Sequence, residues 1–266
     1  MPPYMLLGRI IYVSCAALCM GLSPSACGHF DRQEPAGFEV THTFPHDSTA
    51  YTQGLVWSGN VLYESTGLYG RSDVRMVDLH TGKVLASRPL APDRFGEGLA
   101  LLKGRLYQLT WQSGVAYTYD AATLAPRDSF QYAGEGWGLT TDGASLIMSD
   151  GSDSLRILSP ETFRVQRVVH VRYNGSPMRQ LNELEYVKGD ILANVYGSNW
   201  VLRIDPATGE VRELLDFADL YPDRPTSAEV MNGIAVAPDS GQLLLTGKLW
   251  PVMFEIRLHP RGRPPD

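Results

Sequence analysis

Phe95-Gly96-Glu97-Gly98-Leu99-Ala100-Leu101-Leu102 places one carboxylate between two glycines at the start of an apolar, strand-like run. Glycine lets neighbouring groups approach the backbone closely. Glutamate is depleted in strands and costly to bury, so a Glu here needs a partner or a purpose. Taken alone, the stretch reads as a hydrogen-bonded or exposed strand end. What changes that reading is recurrence of the position along the chain.

A pattern returns five times at intervals of roughly forty residues. Each copy opens on a short apolar strand: Gln53-Gly54-Leu55-Val56-Trp57, Glu97 to Leu102, Trp137 to Thr141, Glu183 to Val187, and Asn232 to Val236. Turns such as Lys103-Gly104, Asp142-Gly143 and Lys188-Gly189-Asp190 follow, then a second and a third strand. Thr-Gly or an equivalent leads into a fourth. Short strands joined by such turns are hairpin grammar. Four antiparallel strands repeated five times predict an all-β fold, a five-bladed β-propeller. The fifth copy lacks a fourth strand, and Phe38-Glu39-Val40-Thr41-His42-Thr43 is a strand without a copy. The expectation is that this N-terminal strand closes the ring and hides its edges. A large β-sandwich is the alternative, but it does not require the internal period.

Propeller geometry then gathers residues. Inner strands start on one face of the disk, and the antiparallel second strands finish there. The starting residues are Gln53, Glu97, Trp137, Asn182-Glu183 and Asn232; the finishing ones lie near Trp111, Asp150, Tyr196 and Lys248. A core position would prefer Val, Ile or Leu, so this polar and aromatic ring reads as a site.

The rest of the chain sets boundaries. Net charge is −6 with no basic run in the mature part, which excludes nucleic acid as a partner class. Arg9, the apolar stretch Ile10 to Leu22, and Ser23, Ser25 and Ala26 read as a secretory signal over 1–26, too short for a comfortable membrane span. Cys27 after Pro24-Ser25-Ala26 resembles a bacterial lipoprotein cleavage site, with Pro24 where Leu is usual. Lipidation of Cys27, and through it a membrane tether, is one expectation; ordinary cleavage nearby is the other. Residues 27–36 read as a flexible tether, 37–260 as the propeller and 261–266 as a tail. Cys15 and Cys19 leave with the signal, so the mature chain cannot form an internal disulfide. An exported monomer of the periplasm or cell envelope is expected.

The same residues carry a family resemblance. The pieces are Pro45-His46-Asp47, Tyr51-Thr52-Gln53-Gly54-Leu55, Glu64-Ser65-Thr66-Gly67-Leu68-Tyr69-Gly70-Arg71-Ser72 and Phe95-Gly96-Glu97-Gly98-Leu99, followed by Leu109-Thr110-Trp111-Gln112, Gly136-Trp137-Gly138-Leu139, Leu181-Asn182-Glu183-Leu184-Glu185 and Thr246-Gly247-Lys248-Leu249-Trp250-Pro251. In number and order they resemble the plant and bacterial type of glutaminyl cyclase (glutaminyl-peptide cyclotransferase), a five-bladed propeller, over roughly Val40 to Leu258. The resemblance implies conversion of N-terminal glutamine of peptides and proteins to pyroglutamate, with release of ammonia. It puts the family's essential Glu on Glu97 and supporting residues on Gln53, Phe95, Trp111, Trp137, Asn182 and Lys248. The sequence departs at Tyr51, where the family usually has Phe, and at Tyr196, where plant members tend to have Trp.

The implied chemistry fits these groups. The substrate's own α-amine attacks its own side-chain amide, so proximity comes with a curled substrate. The amine, with a pKa of roughly 8, must lose a proton; an oxyanion must be stabilised, and nitrogen must leave as ammonia. One carboxylate can serve as base and then acid, the role expected of Glu97. Lys248 or Asn182 would stabilise the oxyanion or hold the amide carbonyl. Phe95, Trp111, Trp137 and Tyr196 would wall the pocket and Gln53 would bind the substrate, whereas Trp57 and Trp200 read as packing between blades. The six His are scattered without zinc-site spacing, and His46 reads as a turn residue. No cofactor is expected to be required; a structural calcium at channel carbonyls is compatible with the sequence. Two rival readings are a metal-dependent propeller lactonase or hydrolase, with Glu97, Asn182 and Asp150 as ligands, and a non-catalytic envelope binding propeller. The connections 172–180 and 216–230 are expected on the mouth side, where they would shape the entrance.

Overall fold

The computed structural model describes residues 37–237 and 240–259. The signal, Cys27, the tether and the tail therefore lie outside the described residues. Among these there is no helix.

Five four-stranded sheets follow one another along the chain. Blade 1 is Thr52–Ser58, Val61–Thr66, Asp73–Val77 and Val84–Pro89. Blade 2 is Gly96–Leu102, Arg105–Thr110, Val115–Asp120 and Pro126–Gln131. Blade 3 is Leu139–Thr141, Leu146–Ser149, Ser154–Leu158 and Val165–His170. Blade 4 is Leu181–Val187, Asp190–Val195, Trp200–Ile204 and Val211–Asp216. Blade 5 is Met231–Val236, Leu243–Gly247 and Val252–Leu258, with Phe38–Pro45 paired antiparallel to the last as its outermost strand. Both ends of the described chain thus share one sheet. The connection 172–180 carries a small hairpin, Arg172–Tyr173 with Ser176–Pro177.

Alternation along each strand explains the packing. The inward-facing apolar residues of neighbouring blades meet in five clusters, one at each seam. Leu55 and Leu62 of blade 1, for example, pack against Ala235 and Leu244 of blade 5. Outermost strands have little left to bury, and Val84–Pro89 is exposed throughout.

The first residues of each inner strand break the ladder. Register slips between Thr52 and Gly54, Gly96 and Leu99, Leu181 and Leu184, and Met231 and Ile234. In blade 3 the inner strand begins only at Leu139, two residues later than the expected Trp137, although Trp137 still donates its N–H to the Ser149 carbonyl. Left out of the ladder are Gln53, Glu97 with Gly98, Trp137 with Gly138, Asn182 with Glu183, and Asn232 with Gly233. A bulge re-aims its side chain away from strand alternation. The repeat therefore delivers Gln53, Glu97, Trp137 and Asn182 to one mouth, with Asn232 behind them, bonded to Gln53.

Candidate active site

A second recurrence brings in the partners. In four of the five blades the residue after the second strand donates its N–H to the residue before the inner strand: Gly67 to Tyr51, Trp111 to Phe95, Tyr196 to Gln180 and Lys248 to Val230, at 2.8–3.0 Å. These bonds place Trp111, Tyr196 and Lys248 beside the bulged residues. Blade 1 has Gly67 at this position, and a Cβ there would stand 2.4 Å from the Phe95 ring. The glycine is what lets Phe95 lie over blade 1.

The result is a cavity of about 260 Å³ lined by Tyr51, Gln53, Phe95, Glu97, Trp111, Trp137, Asn182, Tyr196 and Lys248. The eight residues given catalytic or substrate-binding roles from the sequence all line it; of the wider ring expected at the mouth, Glu183, Asn232 and Asp150 do not. Its size, below the roughly 300–1,000 Å³ of drug-sized pockets, suits one short side chain.

Glu97 is only 5% exposed. The glycines beside it allow the close approach foreseen from the sequence: a Cβ on Gly96 would meet the Thr66 carbonyl at 2.5 Å, and one on Gly98 the Leu139 nitrogen at 2.4 Å. Its Oε1 accepts a hydrogen bond from Gln53 Nε2 at 3.0 Å. Desolvation pushes its pKa well above the usual carboxylate value; Lys248 opposes the rise and Glu135 adds to it. Lys248, 3% exposed, is shifted the other way by the same desolvation, against the pull of Glu97 and Glu229. Among the described residues no ion pair joins Glu97 to Lys248, which leaves room between acid and ammonium. Lys248 Nζ stands over the rings of Tyr51 and Tyr196, 4.7 and 5.1 Å from their centroids. Asn182 is buried and its Oδ1 has no protein partner.

The walls are braced by a residue that sequence reasoning missed. Glu135 Oε2 accepts hydrogen bonds from both Trp111 Nε1 (2.7 Å) and Trp137 Nε1 (3.0 Å), while Oε1 accepts one from Gln112 (3.0 Å). Edge-on contacts continue the wall from Phe95 to Trp111 and from Trp137 to Tyr196. Glu135 lies between blades and has no repeat equivalent. Only its place two residues before Trp137, in Gly134-Glu135-Gly136, hinted at it. Tyr51 was also missed as a lining residue, though its position two before Gln53 was a usable signal.

Other groups resolve differently. Asp150 pairs with Arg156 at 2.6 Å and does not line the cavity. His46 is more than a turn residue: it bridges the Trp250 carbonyl (2.7 Å) and Glu64 Oε1 (3.0 Å) while fully packed. Trp200 is not packed between blades but 39% exposed, whereas Trp57, half-buried with Nε1 on the Gly59 carbonyl, does pack against the seam of blades 1 and 5 as expected. Glu183 occupies the place held by Gly54, Gly98, Gly138 and Gly233 in the other blades, and its carboxylate accepts N–H groups from Leu55 (3.3 Å) and Ile234 (2.8 Å). Burial and neighbouring Glu185 push its pKa well up; burial also raises Glu185, to about 8. Among the described residues no group of three or more His, Cys, Asp or Glu is arranged to hold a metal. A larger cavity of about 400 Å³ sits by the hairpin turns at Lys188 and Gly241 on the opposite face, lined by Arg203 and Arg257 but by no carboxylate.

The sequence and the fold have counterparts among known proteins. The family model described as glutamine cyclotransferase matches residues 12–258. A glutaminyl-peptide cyclotransferase of Arabidopsis thaliana is 44% identical over 226 residues, covering 83% of this chain and 71% of the relative. The crystal structure of Myxococcus xanthus glutaminyl cyclase superposes with a TM-score of 0.79 at 37% identity, over 85% of this chain and 99% of that one.

Proposed function

The chain belongs to the glutamine cyclotransferase family, and from that premise we propose how its pocket carries out the reaction. The activity is that of a glutaminyl-peptide cyclotransferase: N-terminal glutamine of a peptide becomes pyroglutamate and ammonia is released. The observation that carries the mechanism is a buried carboxyl and a buried ammonium lining one small aromatic cavity without being paired to each other.

The glutaminyl side chain enters between Trp111, Trp137 and Tyr196 and curls so that its α-nitrogen faces its own amide carbon. Glu97, as carboxylate, takes a proton from the α-amine as nitrogen attacks that carbon. A carboxyl with a raised pKa is suited to this, since a base works best near the operating pH. The carbonyl oxygen becomes an oxyanion, stabilised by Lys248 and by the Asn182 amide. Glu97 then returns its proton to the amide nitrogen, the C–N bond breaks and ammonia leaves. The ring closes without any net proton change on Glu97 or consumption of water. Gln53 acts by holding Glu97.

Acid, base and ammonium suffice for this sequence of steps, so the reaction is proposed to require no cofactor. Ammonia release from a Gln-initiated dipeptide should survive chelation and vanish in Glu97→Gln. Chelator-sensitive turnover would favour the metal-dependent hydrolase reading. Turnover within a few-fold of wild type in Glu97→Gln would remove Glu97 from the chemistry. A fall in Tm on chelation, with turnover intact below it, would reveal a structural calcium.

Export to the periplasm or cell envelope, as a monomer held through lipidated Cys27, is the proposed setting. Cys27→Ser should release the protein from the membrane fraction; an unchanged distribution would refute the tether.

A further inference from the structure

Asn232 lines no cavity wall, yet it holds the ring position in blade 5 that Glu97 holds in blade 2. We propose that Asn232 is a positioning residue for the cyclisation: it fixes the Gln53 amide so that the proton exchanged by Glu97 sits on Oε2, the oxygen left to the substrate. This rests on Glu97 being the proton shuttle.

The argument begins at an atom whose role is unambiguous. Asn232 Nδ2 donates to the Thr52 backbone carbonyl at 3.0 Å. A carbonyl only accepts, so the Asn232 amide has one orientation. The second hydrogen of the same NH2 goes to Gln53 Oε1 at 3.2 Å. Gln53 is thereby oriented too, with Nε2 toward Glu97 Oε1 at 3.0 Å. The chain of donors crosses two seams, from blade 5 to blade 1 to blade 2, and its three members are 0%, 3% and 5% exposed.

An oxygen already accepting an N–H is the poorer seat for a proton. Among the described residues the one side-chain hydrogen bond of Glu97 falls on Oε1, and Glu97 lines the cavity, so Oε2 is the oxygen assigned the proton. Without Asn232 the Gln53 amide can turn its carbonyl toward Glu97. Two acceptors would then face each other unless Oε1 took the proton, away from the substrate.

A cost marks the arrangement. Asn232 Oδ1 is buried with no partner, and an orphaned acceptor is expensive to keep. An apolar residue would avoid it. The donors on the other side of the amide are what the position retains.

The test is a double-mutant cycle of Asn232→Leu with Gln53→Leu, read as kcat and KM for a Gln-initiated dipeptide. Asn232→Leu should lower kcat about tenfold, the scale of one lost hydrogen bond, with KM little changed. It should move the acid limb of kcat to higher pH, because the Glu97 carboxylate loses its donor. The other charged or titratable groups around Glu97 are Lys248, Glu135, Tyr51 and Tyr132, and all remain in the variant. In the Gln53→Leu background, Asn232→Leu should cost nothing further. Losses that multiply in the double variant, or a change in KM alone, would overturn the proposal. Asn232→Ser, which keeps one donor hydrogen, supplies the same cycle if the leucine variant does not fold. Glu97→Gln tells the two failures apart: if it stays active the shuttle is wrong, and if it is inactive while the cycle is additive only Asn232 is wrong.

Discussion

Glu64 and Glu97 lie on strands of neighbouring blades and are 1% and 5% exposed, yet burial leaves them in opposite states. Glu64 meets His46 Nε2 at 3.0 Å and Thr52 Oγ1 at 2.8 Å, with Arg75 nearby. Desolvation would raise its pKa, but these partners outweigh it and hold the carboxylate below its usual value. His46 shows the reverse: burial pulls it down, Glu64 and the Trp250 carbonyl pull it up further, and it ends above its ordinary value. Glu97 has a neutral amide at bonding distance and its ammonium is further off, so desolvation wins and its pKa rises. Burial sets the stake; the nearest partner decides whether a carboxyl becomes a structural ion or a proton carrier.

Exchanging function against stability breaks the comparison most sharply. Glu97→Gln should lower kcat by about 10²–10⁴-fold while leaving Tm unchanged or higher, because a strained carboxyl is removed. Glu64→Leu should do the opposite. Removing one partner of a buried pair costs about 3–5 kcal/mol, seen as a lower denaturation midpoint, with kcat of the folded fraction retained. A Glu97→Gln that unfolds and a Glu64→Leu that is inactive but stable would invert the assignment.

Lys248→Met comes next. It removes the charge and keeps the stem, and should cost kcat about 10²–10³-fold, the loss of one oxyanion donor. Glu135 is expected to matter less. Glu135→Gln keeps an acceptor for the indole N–H groups; Glu135→Ala keeps none, and its kcat/KM should fall about tenfold, close to 1.4 kcal/mol. Equal effects in the two would show that charge, not wall geometry, is what Glu135 supplies.

The smallest effect is a pH signature. His46 has a raised folded pKa, so its contribution to stability is complete below the unfolded value of 6.5 and is lost as pH rises through the folded value. The Tm of wild type should therefore decline over that window relative to His46→Leu. A parallel course of the two curves would mean that the pair is not ionised.

Much of this was written in the local grammar of the chain. Hairpin turns such as Lys103-Gly104 and Asp142-Gly143 set the period, and the period put Gln53, Glu97, Trp137 and Asn182 at one mouth. What escaped the sequence depends on contacts that no repeat encodes. Glu135 stands on a connection between blades, and the two indoles it bridges come from different ones. His46 reaches Glu64 across the seam where the chain ends meet, and only the fold shows that it has a carboxylate there. Trp200 misled because a large apolar residue is assigned to the core by default, whereas the start of a third strand lies near the open face.

The most direct measurement is a carbon-13 titration of the glutamate side-chain carboxyls in the substrate-free protein, with Glu97→Gln and Glu64→Gln assigning two resonances by their loss. The Glu97 signal should titrate well above the ordinary value of 4.5 and the Glu64 signal below it. A Glu97 carboxyl that ionises at or under 4.5 would contradict this.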